Sequence, residues 1–436
     1  MFVLSLFFLW SATACFAEVP SPSQPTTLNG DSVKGSDLKE GDAATEKADS
    51  NQTVGEDLKL FGEQVAKRVD RVIRKKGFEL WGDPWMFQGI PIILPSPRTG
   101  FNLGVKIQVQ NIRRQDPHQI ELEGQILASD RGRYKHSFRV DLPHAFNGLF
   151  RLTGRVAYDR DISFRYFGIS NNTSPDPKLV ALDSVLFQNT RSGPSFTLSA
   201  MRYLNRRVRT GPILGLKWSE ITAPAGSLLL SEKPTGIGGG RTHYLGWAII
   251  HDTLDFEPYP SRGAAHELFL YLYRPWTGSS YSFTRSTYTY RRYFLLHKRL
   301  ILAHRTFFEV LSGDVPFFEM GVTGGSNPTI AFGGDRFFRG YESNRFLDHI
   351  RFATGFEFRW DPIFFDFAGQ DLTLGFVPFV DLGRVWPTVF PLDISRFHAS
   401  TGWGARLIWN NRFVVRMDFA VNPEGTAFIV NLGNSF

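Results

Sequence analysis

The chain has 436 residues, which exceeds the usual length of one soluble domain but not that of a single large β-barrel. Aromatic residues make up 15% of it and its mean hydropathy is -0.18, which is too polar for a bundle of membrane helices and suits strands with one apolar and one polar face. The formal net charge of +7 comes from arginines and lysines that are scattered along the chain, so we expect no nucleic-acid partner. The single cysteine excludes a disulfide-stabilised fold.

Residues 1–17 have the features of a secretory signal peptide. A short apolar run is followed by small residues, with Cys15 and Ala17 three residues and one residue before a cleavage point that precedes Glu18. No Lys or Arg precedes the apolar run, so a misassigned start codon and a signal anchor stay open as alternatives. Lipidation of Cys15 also stays open, although the three residues before it lack the expected leucine. The segment predicts export.

Two different segments follow the signal. Residues 18–56 are rich in Ser, Thr, Pro, Gly, Asp and Lys, and this composition predicts a disordered linker. Residues 57–76 carry apolar residues at helical spacing with Lys and Arg between them, which predicts one basic amphipathic helix. This helix would contact the membrane surface, plug a barrel mouth or pack on its own domain, and the residues alone do not decide among these.

Beyond Pro95 the apolar pattern changes to a period of two and keeps it almost to the end of the chain. In "RFATGFEFRW" (residues 351–360), the Phe, Thr and Trp side chains share one face, and Arg, Ala, Gly and Glu share the other. The closing segment "FIVNLGNSF" places Phe428, Val430, Leu432 and Phe436 together on the apolar face. These patterns predict an all-β chain.

Three features favour lipid, rather than a protein core, as the partner of the apolar faces. The strand-like segments are near ten residues long, about twice the soluble average. The polar faces carry too many Arg and Glu residues for a dry core. Tryptophans lie at segment ends, as in the interfacial girdle of a membrane barrel: Trp218, Trp247, Trp360, Trp386 and Trp409. The fold class is therefore a transmembrane antiparallel β-barrel.

About sixteen strands are predicted, an even number as in bacterial barrels. The segments are 100–110, 117–129, 133–142, 149–158, 184–191, 194–204, 209–221, 241–252, 263–274, 281–294, 300–311, 349–360, 371–383, 399–410, 412–421 and 426–436. The longest connection, from Ser312 to Asp348, follows the eleventh strand, so it lies on the outer surface by parity.

Several short stretches resemble the outer-membrane barrel-assembly superfamily, which includes bacterial surface antigens, barrel assembly factors and two-partner secretion transporters. The Arg-Gly-Tyr segment in "GGDRFFRGY" is similar to the signature of that superfamily. The other matching stretches are "GIPIILPSPRTGFNLGV", "FRYFGIS", "HDTLDFEPYPSRG", "FVDLGRVW" and "GWGARLIW" followed by "VVRMDFA". Together they cover residues 91–436, which the resemblance identifies as a bacterial surface antigen type of outer-membrane β-barrel domain.

The resemblance implies a sixteen-stranded barrel whose sixth outer loop folds back into the lumen. By position, the loop arginine is Arg339, and Gly340 and Tyr341 complete its turn. Its implied partners are Glu357 and Asp381, which also fall on the polar face of their strands in the alternation pattern. A guanidinium binds a carboxylate through two charge-assisted hydrogen bonds and can thereby hold such a loop. The alternative is that Arg339 is a solvated loop residue.

One feature of the superfamily is not recognised in this sequence. Members that assemble or export proteins carry polypeptide-transport-associated (POTRA) domains before the barrel, and residues 18–95 lack the strand and helix pattern of such a domain. Capture of clients by such a domain is therefore not expected from this region. A separate periplasmic partner that supplies the missing domains stays open.

No enzymatic pattern is found in the sequence. It contains no G-x-S-x-G, no H-E-x-x-H and no Cys pair, and His243 and His251 lack a third ligand, so we expect no catalytic residues, metal or cofactor. The resemblance implies a barrel in the bacterial outer membrane, surrounded by its lipids, that inserts or transports proteins or lipids by opening the seam between its end strands. Unfolded outer-membrane proteins are the implied clients. A passive or loop-gated pore, or a structural surface antigen, is the alternative.

Overall fold

The computed structural model describes residues 78–80, 82–96, 98–111, 113, 118–181, 185–326, 333–367, 369–389 and 393–436. The predicted signal peptide, linker and amphipathic helix lie outside these residues. Among the residues that are described, no helix combines the length and the hydrophobicity needed to cross a membrane.

One antiparallel sheet contains all the described strands. They are β1 (Phe78–Leu80), β2 (Asp83–Ser96), β3 (Gly100–Asn111), β4 (Ile120–Ser129), β5 (Tyr134–His144), β6 (Phe150–Arg165), β7 (Gln188–Tyr203), β8 (Val208–Thr222), β9 (Gly239–Arg241), β10 (Tyr244–Asp252), β11 (Gly263–Tyr273), β12 (Phe283–His297), β13 (Leu300–Gly313), β14 (Ile350–Phe367), β15 (Gln370–Trp386), β16 (His398–Trp409), β17 (Phe413–Asn422) and β18 (Gly425–Leu432). Short helices occur in the connections: α1 (Ala145–Gly148), α2 (Pro177–Ala181), α3 (Leu228–Glu232), α4 (Phe317–Met320) and a 3₁₀ helix (Pro275–Thr277).

The ladders join strands in chain order, with one exception. The short strand β9 pairs with the end of β8, and β8 also pairs with β10 along its length. β1 folds back on the start of β2 as a tight hairpin. β18 is followed by β2 in the strand order, so the sheet closes into a barrel whose seam lies between its first long strand and its last strand.

The predicted count of sixteen strands is confirmed by the sixteen strands of eight or more residues. Two predicted strands correspond to one strand in the structure and one observed strand was not predicted, so the total is unchanged. The two predicted strands 184–191 and 194–204 both overlap one strand, β7 (Gln188–Tyr203). Its Gly193-Pro194 pair resembles a turn, but a Cβ at Gly193 would lie 2.0 Å from the Trp218 carbonyl oxygen, so glycine lets β7 and β8 approach closely. β2 is absent from the predicted strands because it contains three prolines.

The predicted alternation of apolar and polar faces is confirmed on β14. Phe356, Phe358 and Trp360 are 37%, 46% and 50% exposed on the outer face of the sheet. Arg351 and Glu357 are fully buried on the inner face. Because no soluble domain leaves such rows of large apolar side chains uncovered, the exposed rows are the surface that contacts lipid.

The tryptophan girdle is only partly present. Trp218, Trp247 and Trp360 are exposed as an interfacial belt requires. Trp386 is buried instead, because its Nε1 donates a hydrogen bond to the Asp393 backbone oxygen at 2.7 Å in the connection after β15. The end of β15 is thus covered by its own loop and does not face the lipid.

The barrel interior is packed with protein side chains. Two connections and the C-terminal tail enter it, and their side chains cover the polar inner face of the strands. Seven arginines are among the largest fully buried side chains: Arg285, Arg339, Arg345, Arg351, Arg359, Arg406 and Arg416. These seven arginines are therefore removed from water by the protein that fills the barrel.

We expect the lipid-facing surface to reject charge. Replacing Leu268, half exposed on β11, by arginine lowers the free energy of unfolding by about 2–4 kcal/mol if the site lies near the bilayer midplane. The matched control is Leu204→Arg in the exposed turn between β7 and β8, which costs about 0–1 kcal/mol. Urea unfolding of both variants in lipid vesicles measures the difference, and equal costs would contradict a lipid-facing position for Leu268.

Candidate functional site: the Arg339 cluster

The connection between β13 and β14 spans residues 314–349, and its described residues, 314–326 and 333–349, turn into the barrel. Arg339 lies at its centre with 0% exposure and contacts the inner faces of three strands. We call Arg339, Glu357, Asp381 and Asp418 the Arg339 cluster. The end of the barrel that carries this connection is called the outer end below, and the opposite end is called the inner end.

The Arg339 guanidinium binds two of these carboxylates directly. Its Nε and Nη2 donate to the two oxygens of Asp381 on β15 at 2.8 and 2.9 Å, and its Nη1 donates to Glu357 on β14 at 2.7 Å. The Arg339 backbone N–H also donates to Asp381 at 3.2 Å. Asp418 on β17 lies 3.5 Å from Nη1. The structure therefore brings Arg339, Glu357 and Asp381 together.

The turn around Arg339 depends on Gly340. Gly340 has φ +95°, which disfavours other residues, and a Cβ there would lie 2.9 Å from Asn422 Nδ2. Tyr341 is buried and its hydroxyl donates to the Ala399 backbone oxygen at 3.2 Å. The ring of Phe338 fills the space beside Gly383, where a Cβ would lie 2.1 Å from the ring. The turn is thus fitted to β15, β16 and β17 by shape as well as charge.

The acidic wall determines the charge state of Arg339. Burial alone would lower the pKa of this guanidinium, but Asp381 and Glu357 outweigh burial and raise the pKa above its usual value. The guanidinium also lies over the ring of Phe379, with Cζ 3.5 Å from the ring centroid. Arg339 is therefore a permanent cation whose hydrogen bonds are directed at the wall of the barrel.

The C-terminal tail also enters the interior and reaches the same cluster. After β18 ends, Gly433 turns the chain with φ +84°, and Ser435 Oγ donates a hydrogen bond to Glu357. Arg305 Nη1 donates to the Ser435 backbone oxygen, and Arg359 Nη2 donates to a terminal oxygen of Phe436, both at 2.8 Å. The tail is thus bound to the inner walls of β13 and β14.

The placement of Phe436 corrects the expectation that it faces lipid beside Phe428 and Val430. Phe428 is 68% exposed, whereas Phe436 is 8% exposed and packs on Tyr293 and Ile301 in the interior. The alternation ends at Leu432 because the chain leaves the sheet at Gly433.

The comparisons with known proteins agree with this barrel. The model of the Omp85 superfamily domain matches residues 188–436, more than half of the chain. The chain belongs to the Omp85 superfamily. Members of this superfamily are β-barrels of the bacterial outer membrane, and this Omp85 barrel is therefore an outer-membrane protein.

Two solved structures resemble this Omp85 chain at low sequence identity. BamA from Haemophilus ducreyi lacking POTRA domains 1–3 is 14% identical, and the match covers 80% of this chain and 69% of that one with a TM-score of 0.47. CdiB from Escherichia coli is 12% identical, and the match covers 84% of this chain and 68% of that one with a TM-score of 0.49. No curated protein sequence matches significantly.

A second buried ion cluster fixes the first part of the same connection in the Omp85 barrel. Glu319 in α4 lies 2.6 Å from Lys217 Nζ and 3.0 Å from Arg285 Nη2, and Arg191 is 3.7 Å away. Thr242 Oγ1 donates to the same carboxylate at 3.1 Å. Glu319 thus connects α4 to β7, β8 and β12. Sequence reasoning missed this residue.

Backbone contacts and apolar packing complete this second attachment. Arg285 donates to the Val322 backbone oxygen at 2.8 Å, and Arg351 donates to the same oxygen at 2.8 Å. Phe317 and Phe318 are buried in the largest apolar cluster of the described structure, which includes residues of β6 to β13. The signal in the sequence was a single acidic residue within the apolar segment "FFEM". Such a residue suggests a buried carboxylate with cationic partners.

A connection at the inner end spans the other mouth of the Omp85 barrel. In residues 253–262, Glu257 accepts hydrogen bonds from Arg151 on β6 at 2.9 Å, and the Tyr259 hydroxyl donates to Asp361 on β14 at 3.0 Å. This connection therefore contacts strands on different sides of the barrel. Together with the C-terminal tail it fills part of the inner half.

Among the described residues, one histidine and two acids lie close enough together to be considered as a metal site. His118, Glu121 and Asp141 place possible ligand atoms within 4.8 Å of one another. However, Arg151 binds Asp141 at 2.6 Å and Arg139 binds Glu121 at 3.0 Å, so cationic side chains already occupy these carboxylates. His243 accepts a hydrogen bond from the Lys217 backbone N–H at 3.0 Å, and His251 stacks on His266 on the outer face.

Removing the guanidinium of Arg339 should leave buried carboxylates without a partner. We expect Arg339→Ala to lower the free energy of unfolding by about 3–5 kcal/mol, as for other broken buried ion pairs. The matched control is Arg206→Ala in the exposed turn after β7, with an expected change within about 0.5 kcal/mol. Urea unfolding followed by tryptophan fluorescence compares the two. Equal stability of both variants would contradict a structural role for the cluster.

The Glu319 contacts predict an acid-sensitive contribution to stability. Burial opposes ionisation of this carboxyl, but Lys217, Arg285 and Arg191 outweigh it and lower its pKa to about 2. Because the folded pKa lies below the unfolded value of about 4.3, this contribution is present above about pH 5 and is lost as the pH falls towards 2. The stability advantage of the wild type over Glu319→Gln should therefore shrink across this range. Urea unfolding at each pH measures it, with exposed Glu220→Gln as the control; an advantage that stays constant with pH would contradict the assignment.

Proposed function

We propose that this Omp85 barrel inserts or translocates proteins or lipids at the outer membrane without enzymatic chemistry, and that its Arg339 cluster holds the 314–349 connection inside the closed resting state. The observation that carries the proposal is the binding of Arg339 to Glu357 and Asp381 in the barrel of a member of this superfamily. In this role Arg339, Gly340, Tyr341, Glu357 and Asp381 form a lock on the connection.

The character of the two strands at the seam supports opening at this place. β18 has eight residues and β2 has fourteen, so β18 can pair with only part of β2. β2 also contains Pro84, Pro91 and Pro95, none of which has a backbone N–H to donate to a neighbouring strand. A ladder between these strands is limited in the number of hydrogen bonds it can form, which favours opening at this place.

The contents of the interior support lateral opening over passage through a permanent central pore. The 314–349 connection occupies the outer half, and the 253–262 connection and the tail enter the inner half. A substrate that crossed through the centre would require all three segments to leave. A substrate that used the seam would require only the two end strands to separate.

The proposed substrates and partners follow from the superfamily and from the surface. Outer-membrane lipids cover the exposed apolar rows of the strands, and unfolded outer-membrane proteins are the proposed clients. A separate periplasmic protein is the proposed partner that delivers them. The second candidate function is a loop-gated pore, which the ionic attachment of the connection favours because ion pairs can be broken without disrupting the strands.

Depletion of the protein in the bacterium that encodes it tests the proposal. We expect a census of outer-membrane proteins and lipids by quantitative mass spectrometry to show loss of specific barrel proteins or lipids, restored by the wild-type chain. Complementation with Arg339→Ala should restore less than complementation with Arg206→Ala, because only the first variant breaks the lock.

The pore candidate predicts a different result. The census would be unchanged on depletion, and planar-bilayer recordings would show a steady conductance that Arg339→Ala increases. That pair of outcomes would refute insertion or translocation and support a gated pore.

A further inference from the structure

Two charged residues of the 314–349 connection contact the outer turns on both sides of the seam. Glu342, three residues after Arg339, accepts two parallel hydrogen bonds from Arg98 at 2.6 and 2.7 Å. Arg98 lies in the turn between β2 and β3, which is the first long hairpin of the barrel. Arg165 at the end of β6 lies 3.8 Å from the same carboxylate and adds a second cation.

Arg345 makes the corresponding contact with the last hairpin. Its Nη2 lies 2.6 Å from Glu424 in the turn between β17 and β18, and its Nε donates to both oxygens of that carboxylate at 2.9 Å. Its Nη2 also donates to the Thr173 backbone oxygen at 2.6 Å. Arg345 is 2% exposed and its Cζ lies 4.5 Å from the Phe346 ring centroid, so the guanidinium is held in one position.

The charges of these residues alternate across the seam. The first hairpin presents the Arg98 cation, which pairs with Glu342 of the connection. The last hairpin presents the Glu424 anion, which pairs with Arg345 of the connection. Glu342 and Arg345 are only three residues apart, and the Arg345 backbone N–H donates to the Glu342 backbone oxygen at 3.2 Å. One short turn therefore joins the two hairpins that flank the seam.

We propose that Glu342 and Arg345 form an ionic clasp that keeps the outer end of the seam closed and has to release before β2 and β18 separate. The clasp rests on the proposed function, because it would control the seam opening that insertion or translocation uses. Its partners are Arg98 and Glu424.

The geometry couples the clasp to the Arg339 cluster. The backbone passes from Arg339 through Gly340 and Tyr341 directly to Glu342, so withdrawal of Arg339 from the wall moves Glu342 away from Arg98. Three of the four clasp side chains are also suited to reversible release. The side chains of Arg98, Glu342 and Glu424 are 35%, 26% and 36% exposed, so water can replace the partner of each when the turn withdraws.

The double variant Arg98→Gln/Glu424→Gln removes the clasp without changing the connection or the lock. Spin labels on cysteines at Leu103 and Phe428, two exposed positions on β3 and β18, report the separation of the two hairpins in the full chain reconstituted in lipid, with Cys15 replaced by serine. Pulsed electron paramagnetic resonance should show a second, longer distance between the two labels. The population with this distance should be at least twofold larger than in the wild type.

Salt and a matched control separate the clasp from general loosening. Raising NaCl from about 0.05 to about 1 M should increase the population of the longer distance in the wild type, because the partly exposed Arg98–Glu342 pair is screened, and should have little further effect in the double variant. The control Arg206→Gln/Glu220→Gln changes the same residue types at exposed positions away from the seam and should match the wild type.

A covalent replacement provides the reciprocal test. In the same labelled chain, a variant with Arg98→Gln/Glu424→Gln and a flexible chemical cross-link between the two turns should regain the short distance. The cross-link joins residues other than cysteine that are introduced in the two turns. It carries no unpaired electron, so it does not interfere with the spin labels.

The outcomes distinguish failure of the clasp from failure of the proposed function. Unchanged distances in Arg98→Gln/Glu424→Gln, or the same increase in the control variant, would refute the clasp even if depletion alters the outer-membrane proteome. A longer distance in the double variant together with an unchanged proteome after depletion would support the clasp and refute the proposed transport function.

Discussion

The need to neutralise buried charge is the constraint on which the rest of this structure depends. Arg339, Arg359 and Arg406 all approach Glu357, at 2.7, 2.9 and 3.6 Å, so one carboxylate links the inward connection to β14 and β16. A buried charge without such partners would cost several kcal/mol. The wall charges therefore determine where the connection and the tail lie, and the apolar packing around them fits that arrangement.

Sequence reasoning succeeded where a local pattern reports directly on the environment. Alternation along β14 identified its lipid-facing and interior residues because every second side chain of a strand points to the same face. The same alternation placed Glu357 and Asp381 inside the barrel. Because the resemblance implied that the connection folds inward, these two carboxylates were the expected partners of Arg339. The number of long strands was also predictable, although the prolines of β2 concealed one strand and Gly193 divided another.

The remaining features depend on contacts between residues far apart in the chain. Glu319 is satisfied by Arg191, Lys217 and Arg285, which lie on three different strands, and no local pattern connects them. Phe436 continues the apolar alternation of β18 by position, but Gly433 takes the chain out of the sheet and two interior arginines bind the terminal residues. In both cases the competing long-range interaction overrides what the local sequence favours.

The distribution of these contacts divides the 314–349 connection into two parts with different properties. Its first part buries Phe317 and Phe318 among residues of β6 to β13, and exposing them to water would be unfavourable. Its second part is attached through Arg339, Glu342 and Arg345 to β14, β15 and the hairpins on either side of the seam. It also buries Phe337, Phe338, Tyr341 and Phe346 in a smaller apolar cluster with residues of β13, β14 and β15. The ion pairs that include partly exposed side chains, Arg98–Glu342 and Arg345–Glu424, therefore lie beside the end strands of the barrel, whereas Phe317 and Phe318 pack against strands that close the remainder.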